Sequence, residues 1–163
     1  SKEARQLEIL TQIFNDRLFE KLRSTDGAAY SPNVQNNWPF SSESGGYILV
    51  NSQVKPEKVG YFFQLIKDTA ADLAAKPVSD DELQRAVAPM RQLLSRASTG
   101  NAFWMQQTAG AARDPRYVDV VNNMGRDLLT VTSADLQALA KKYLVADKSW
   151  SAVALPEGVQ AGK

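Results

Sequence analysis

The sequence predicts an α+β domain, mostly helical, with a small antiparallel sheet. Three observations predict it. Apolar residues recur every three or four positions over most of the chain. They alternate with other residues in only a few short stretches, two of which flank a Ser/Gly-rich turn. The 163 residues, 44% hydrophobic and 23% charged, suffice for one buried core.

The first segment runs from Ser1 to about Arg23. Leu7, Leu10, Phe14, Leu18 and Leu22, widened by Ile9 and Ile13, give a helix with a buried face. Ser24-Thr25-Asp26-Gly27 stops it. From Ala28 to Phe40 the pattern has period two, with Tyr30, Val34, Asn36, Trp38 and Phe40 on one side of a strand. Pro32 and Pro39 place that strand at an edge or confine its pairing to its middle. Ser41 to Gly46 is a turn. Tyr47-Ile48-Leu49-Val50 then opens a second strand reaching about Val54, so the two form a hairpin. The unbroken apolar start of the second strand predicts burial on both faces.

Helical periodicity returns at Pro56 and carries Val59, Phe62, Phe63, Ile66, Ala70 and Leu73 to a stop at Pro77. Ser79-Asp80-Asp81-Glu82 reads as a capping box opening a helix with Leu83, Val87, Met90 and Leu94, kinked at Pro89. Gly100 breaks it. Two further helices span Asn101 to about Arg113 and Pro115 to Leu129, the latter with Val118, Val121 and Leu128 inward. Ser133 is expected to cap a last helix through Leu136, Leu139, Ala140 and Tyr143. Trp150 to Leu155 reads as a closing strand. Residues 1–157 thus form a single domain and 158–163 a flexible tail. A hairpin plus one distant strand is a small sheet for so much helix, so the sheet is expected to lack at least one strand. The chain opens at Ser1 directly in helical sequence. It reads as a piece of a longer polypeptide, truncated at its N-terminus, whose upstream part supplies that strand.

Composition excludes much chemistry. There is no cysteine and no histidine, so this chain alone assembles no His or thiolate zinc site, no Ser-His-Asp triad and no Cys-His pair. A net charge of +1 leaves no footprint for nucleic acid. No apolar run is long enough to span a bilayer. The compartment stays open between the periplasm or cell envelope and the cytoplasm of a bacterium. Asp80, Asp81 and Glu82 suit a helix's first turn, where the macrodipole favours carboxylates. Gly45-Gly46 lacks the helix and Lys-Ser/Thr pair of a phosphate loop. Arg91, Arg96 and Arg113 read as solvated. Trp38, Trp104 and Trp150 read as core or interface residues. Arg23 is by type an ordinary cation at a helix C-terminus, and Tyr30 an ordinary aromatic at a strand start.

The segment Phe19-Glu20-Lys21-Leu22-Arg23-Ser24-Thr25-Asp26-Gly27-Ala28-Ala29-Tyr30-Ser31 resembles one in the non-zinc half of the pitrilysin/insulinase-type zinc peptidases, the inverzincins. Val78-Ser79-Asp80-Asp81-Glu82-Leu83 looks like that family's helix opening after the hairpin. Val131 to Leu136 with Ala140 to Leu144 looks like its penultimate segment, and Val153-Ala154-Leu155-Pro156 like its closing strand. The resemblance implies a two-layer sandwich, an antiparallel-rich sheet covered by helices, of the mitochondrial-processing-peptidase/insulinase type.

The resemblance further implies a clamshell enzyme. An N-terminal domain bears H-x-x-E-H and the zinc, and a C-terminal domain brings an arginine and a tyrosine to the opposite wall. Here those are Arg23 and Tyr30, with Phe19 as a substrate contact. No cofactor is expected in this chain, which would be inert alone. Zinc belongs to the parent enzyme's other half, an upstream domain or separate subunit, and the ligand is a peptide substrate. The chemistry fits, since zinc-bound water attacking a peptide carbonyl forms an oxyanion, and a phenol and a guanidinium can donate hydrogen bonds to it. Two competitors stand beside this reading: a non-catalytic partner or scaffold domain of the same family, and an unrelated helical binding module.

Overall fold

The computed structural model describes residues 1–24, 31–38 and 45–162. Helix α1 (Lys2–Arg23) is capped by the Ser1 hydroxyl, which accepts from the Ala4 amide at 3.2 Å. All seven apolar residues read as its buried face are at most 4% exposed. At about 100° per residue they cover well over half of the helix circumference, because Ile9 and Ile13 lie off the main stripe. The helix accordingly packs against the first strand of the hairpin and against four of the later helices. Glu8, Gln12, Phe19 and Arg23 fall on the narrow strip that remains exposed.

Strand β1 (Asn33–Asn37) pairs antiparallel with β2 (Tyr47–Asn51), from Asn33 opposite Asn51 to Asn37 opposite Tyr47. Pairing begins directly after Pro32 and ends before Pro39, as expected of a strand whose prolines lack a ladder donor. The second strand ends at Asn51 rather than near Val54. Its predicted burial on both faces is overturned. Ile48 and Val50 join Val34 and Asn36 on the inner, half-buried face, whereas Tyr47 (58%) and Leu49 (42%) stand exposed on the outer one. Helices cover one side of the hairpin only, and the two-residue period sends alternate side chains outward whatever their type.

A 3-10 turn (Pro56–Lys58) leads into α2 (Val59–Ala75), which places Val59, Phe62, Leu65, Thr69 and Leu73 in the core. Helix α3 (Asp80–Ala97) is capped by Ser79, whose hydroxyl accepts from the Glu82 amide at 3.2 Å, and it continues for two turns past Pro89. Helix α4 (Asn101–Thr108) is shorter than expected and buries nothing; turns occupy 109–113. Helix α5 (Arg116–Leu129) buries Val121 and Leu128, but Val118, expected inward, is 45% exposed. It sits in the first turn of the helix, where its neighbours cover it only in part. Helix α6 (Ser133–Tyr143) buries Leu136, Leu139 and Ala140.

Two expectations fail near the C-terminus. The cap of α6 is Thr132, not Ser133. Thr132 exchanges bonds with Asp135, its hydroxyl accepting from the Asp135 amide and its own amide donating to the carboxylate. Either neighbouring hydroxyl suits the type; backbone geometry selects the one still extended. The closing strand over Trp150 to Leu155 is also absent, and Trp150 is 87% exposed. Alternation gives a segment the shape of a strand, but a strand forms only where a neighbour supplies ladder partners. Farther on, the Gly162 amide donates to the Pro56 carbonyl at 2.8 Å.

Polar locks fix α1 against its neighbours. Arg5 forks onto Asp127 of α5, both side chains nearly buried. Arg17 forks onto Glu82 of α3 at 2.6 and 2.9 Å. Glu3 accepts from Lys142 and from the Tyr143 hydroxyl of α6, and Tyr143 in turn meets Trp38 edge-on at 4.7 Å. The Lys142 and Tyr143 donors hold the Glu3 carboxyl below its usual range. The Arg17 fork does the same for Glu82, aided by the Ser79 amide.

Three stability outcomes follow. Asp127→Ala strands a buried guanidinium and should cost about 3–5 kcal/mol in urea unfolding, whereas the double change Arg5→Met with Asp127→Leu should come close to neutral. Thr132→Ala should cost about 1 kcal/mol and Ser133→Ala much less. Because the folded-state pKa of Glu82 is depressed, its stabilisation is complete above the unfolded value of about 4.3 and disappears as pH falls through the lower folded value. The stability gap between the unaltered chain and Glu82→Gln should therefore be constant from pH 7 to about 5 and shrink below pH 4.

Candidate functional site

The C-terminal turns of α1 present the first candidate site. Phe19 is 44% exposed, and Arg23, one turn later, is exposed on the same side. Spacing of four residues stacks them on one helix face. Among the described residues the Arg23 guanidinium makes no hydrogen bond or ion pair. Its neighbour in sequence is employed differently: the Lys21 ammonium donates to Thr69 at 3.3 Å, against α2. The Ser24 hydroxyl caps the helix end by donating to the Lys21 carbonyl at 2.8 Å. Thus the sequence positions a free, permanently charged planar donor at the end of a rigid helix, beside an aromatic ring. Tyr30, the second proposed donor, lies outside the described residues.

Two turns toward the N-terminus, the same strip of α1 floors an open groove of about 630 Å³. It is lined by Glu8, Thr11 and Gln12 of α1, by β1 from Val34 to Asn37 with the following Trp38, by Tyr47 of β2 and by Met90 of α3. Thr11 and Asn36 tie helix to strand: the Asn36 side-chain NH2 group donates to the Thr11 hydroxyl at 3.3 Å, and that hydroxyl donates to the Glu8 carbonyl at 2.9 Å. On the same strand, the Val34 amide donates to the Asn15 side-chain oxygen at 3.1 Å.

The groove escaped the sequence reading because its residues are ordinary polar ones. The signal was nonetheless present. Glu8, Thr11 and Gln12 keep the i, i+3, i+4 spacing of one helix face, and an amide-rich strand follows. One carboxylate, one hydroxyl and one amide make a hydrogen-bonding set, not a ligand set for zinc. Among the described residues no group of three His, Cys, Asp or Glu side chains converges. No helix among them is long and apolar enough to cross a membrane.

A family model described as the peptidase M16 inactive domain matches residues 1–90, which hold α1, the hairpin, α2 and the first part of α3. No curated protein sequence gives a significant match. Several solved structures share the fold. A protein from Bordetella pertussis Tohama I, solved as a candidate zinc protease, aligns at TM-score 0.72 and 19% identity over 90% of this chain and 81% of that one. The peptidase M16 inactive domain from Pseudomonas fluorescens aligns at 0.72 and 20% identity, over 88% of this chain and 34% of that one. The periplasmic protease PqqL from Escherichia coli aligns at 0.70 and 15% identity, over 88% of this chain and 16% of that one. This chain thus spans about a third of the Pseudomonas fluorescens protein and about a sixth of PqqL. The fold is therefore that of the non-zinc, C-terminal domain of pitrilysin-type peptidases, α+β with a small antiparallel hairpin. With the family model matching more than half of its length, the chain belongs to the peptidase M16 inactive-domain family.

Proposed function

We propose that this chain is the substrate-binding, transition-state-assisting C-terminal domain of a zinc metallopeptidase, with zinc supplied by a separate H-x-x-E-H domain on the same polypeptide or on a partner subunit. The observation that carries the reading is Arg23. It sits within the stretch matched to the inactive-domain family, in the segment that resembles the family's Arg/Tyr element, and its guanidinium is exposed and unpaired among the described residues. A helix-terminal arginine kept for stability would be expected to reach a carboxylate or a last-turn carbonyl. Arg23 instead keeps its donors available.

In the proposed reaction a carbonyl oxygen gains negative charge as water is added. Arg23 and Tyr30 donate hydrogen bonds to that oxygen or to adjacent substrate carbonyls. Arg23 cannot lose its proton, so it is a donor throughout. Phe19, one turn back, offers an apolar surface to a substrate side chain. The domain contributes binding and electrostatics, and the other half contributes the nucleophile.

Complementation tests this directly. The pure chain should cleave no peptide, and mixing it with an H-x-x-E-H partner domain should give chelator-sensitive cleavage. In that complex Tyr30→Phe should lower kcat by about 10² to 10³, roughly 3–4 kcal/mol of transition-state stabilisation. Arg23→Ala should lower kcat/KM at least as much, while changing unfolding stability by no more than about 0.5 kcal/mol. Unchanged turnover in both variants would rule the role out.

A further inference from the structure

We infer that the tip formed by the end of α3, helix α4 and the turn that follows it docks on an anionic lipid bilayer. Arg96 and Arg113 meet headgroup phosphates there, and Leu93, Trp104 and Met105 enter the acyl boundary. This surface shares no residue with the peptide site on α1.

Charge is already segregated in the sequence. Between Glu82 and Asp114 there is no Asp or Glu, yet Arg85, Arg91, Arg96 and Arg113 all fall in that stretch. Every cation between Lys76 and Lys141 is an arginine. In a chain of net charge +1, such a run gives one part of the surface a positive field that the whole does not have. Arg85 pairs with Asp81. Arg91, Arg96 and Arg113 make no ion pair or side-chain hydrogen bond among the described residues.

The apolar part of the tip is equally without a cover. Helix α4 buries no residue and packs chiefly on α5. Trp104 is 43% exposed and Met105 74%. The Trp104 indole N–H donates to the Ser98 carbonyl at 2.8 Å, which folds the ring back onto the end of α3. Arg96 stands in the last turn of that helix. Leu93, 70% exposed, lies three residues earlier on the same face. Past the other end of α4 the chain turns sharply. The Arg113 and Asp114 amides both donate to the Gly110 carbonyl at 3.0 Å, and the Tyr117 ring lies where any side chain on Gly110 would collide with it. That packing holds the turn that carries Arg113. Asp114, the first carboxylate after the run, is taken by the Arg116 fork.

These features favour a bilayer as the occupant. The apolar side chains project outward from helices, and a fluid surface takes them in without the matched shape that a protein interface requires. Guanidiniums fork onto phosphate oxygens with a geometry that lysine lacks. Trp is the side chain suited to a membrane–water boundary. Here its N–H is already satisfied by Ser98, so the ring carries no unpaired donor into the acyl region. No carboxylate within the run repels an anionic surface. A second copy of the chain would set arginines against arginines, which disfavours self-association through this face.

The probes are vesicles of phosphatidylcholine with about one-third phosphatidylglycerol, vesicles of phosphatidylcholine alone, and soluble polyglutamate as a polyanion without lipid. Cosedimentation at low salt should show the chain on the anionic vesicles and not on the neutral ones, with release as salt is raised. Arg96→Gln and Arg113→Gln should each weaken that binding about fivefold, the effect of one basic residue near a charged membrane. Met105→Ser should weaken it roughly tenfold through lost apolar burial. All three positions are exposed, so these variants should unfold in urea as the unaltered chain does. Tryptophan emission should shift to the blue on anionic vesicles, and Trp104→Phe should abolish the shift. Equal binding to both kinds of vesicle, binding to neither, or full binding by the arginine variants would overturn the inference. A blue shift that persists in Trp104→Phe and disappears in Trp150→Phe would place the contact elsewhere and overturn it as well. Polyglutamate binding as tight as that of the anionic vesicles, with no blue shift on either, would overturn it in favour of an acidic protein partner.

Discussion

The wide apolar arc of α1 is the constraint on which the rest of the structure depends. A helix with one buried stripe needs one neighbour; a helix buried over more than half its circumference needs several. Leu7, Leu10, Phe14, Leu18 and Leu22 serve the helical layer, and Ile9 and Ile13 extend the arc until α2, α3, α5, α6 and β1 are all required to close it. Burying such a side chain is worth about 1.5–3 kcal/mol, so no neighbour can leave without exposing part of this helix. The polar locks then fix its register. Arg5 and Glu3 hold the N-terminal turns, Arg17 and Lys21 the C-terminal ones, each to a different element. Apolar contact makes α1 central, and ion pairs determine its rotation.

Those two effects explain what could be read from the sequence. The core of α1 was legible residue by residue, because a long amphipathic period is unambiguous. The hairpin was legible from alternation, and its prolines set its bounds. Three readings failed for one reason: they asked a local pattern to report on neighbours. Tyr47 and Leu49 look buried until one asks what covers the outer face. Trp150 to Leu155 alternates like a strand but finds no ladder. Val118 has the right period, but its neighbours leave it 45% exposed. The Thr132/Ser133 ambiguity is finer, since both residues can cap and only the backbone decides.

The candidate site divides along the same line. Arg23 and Phe19 are singled out by a segment with a family likeness, and α1 places them on one face. The groove beside β1 is not, because Glu8, Thr11, Gln12 and Asn36 carry no distinctive chemistry alone. Their meaning comes from being brought together by a helix and a strand that are distant in the chain. A domain without histidine or cysteine can still take part in hydrolysis by supplying fixed donors, provided another domain supplies the attacking group.

Because α1 is one unbroken helix, the distance between its two exposed features is fixed. Glu8 and Arg23 lie about 22 Å apart along the axis at a rise of about 1.5 Å per residue. An extended chain advances about 3.3 Å per residue, so a ligand reaching from the groove to Arg23 needs about seven residues. A single-residue insertion in α1 between the two would turn Phe19 and Arg23 by about 100° toward the interior and lengthen the span by one rise. The helix therefore holds a fixed spacing, one that survives substitutions along its outer strip but no change in length.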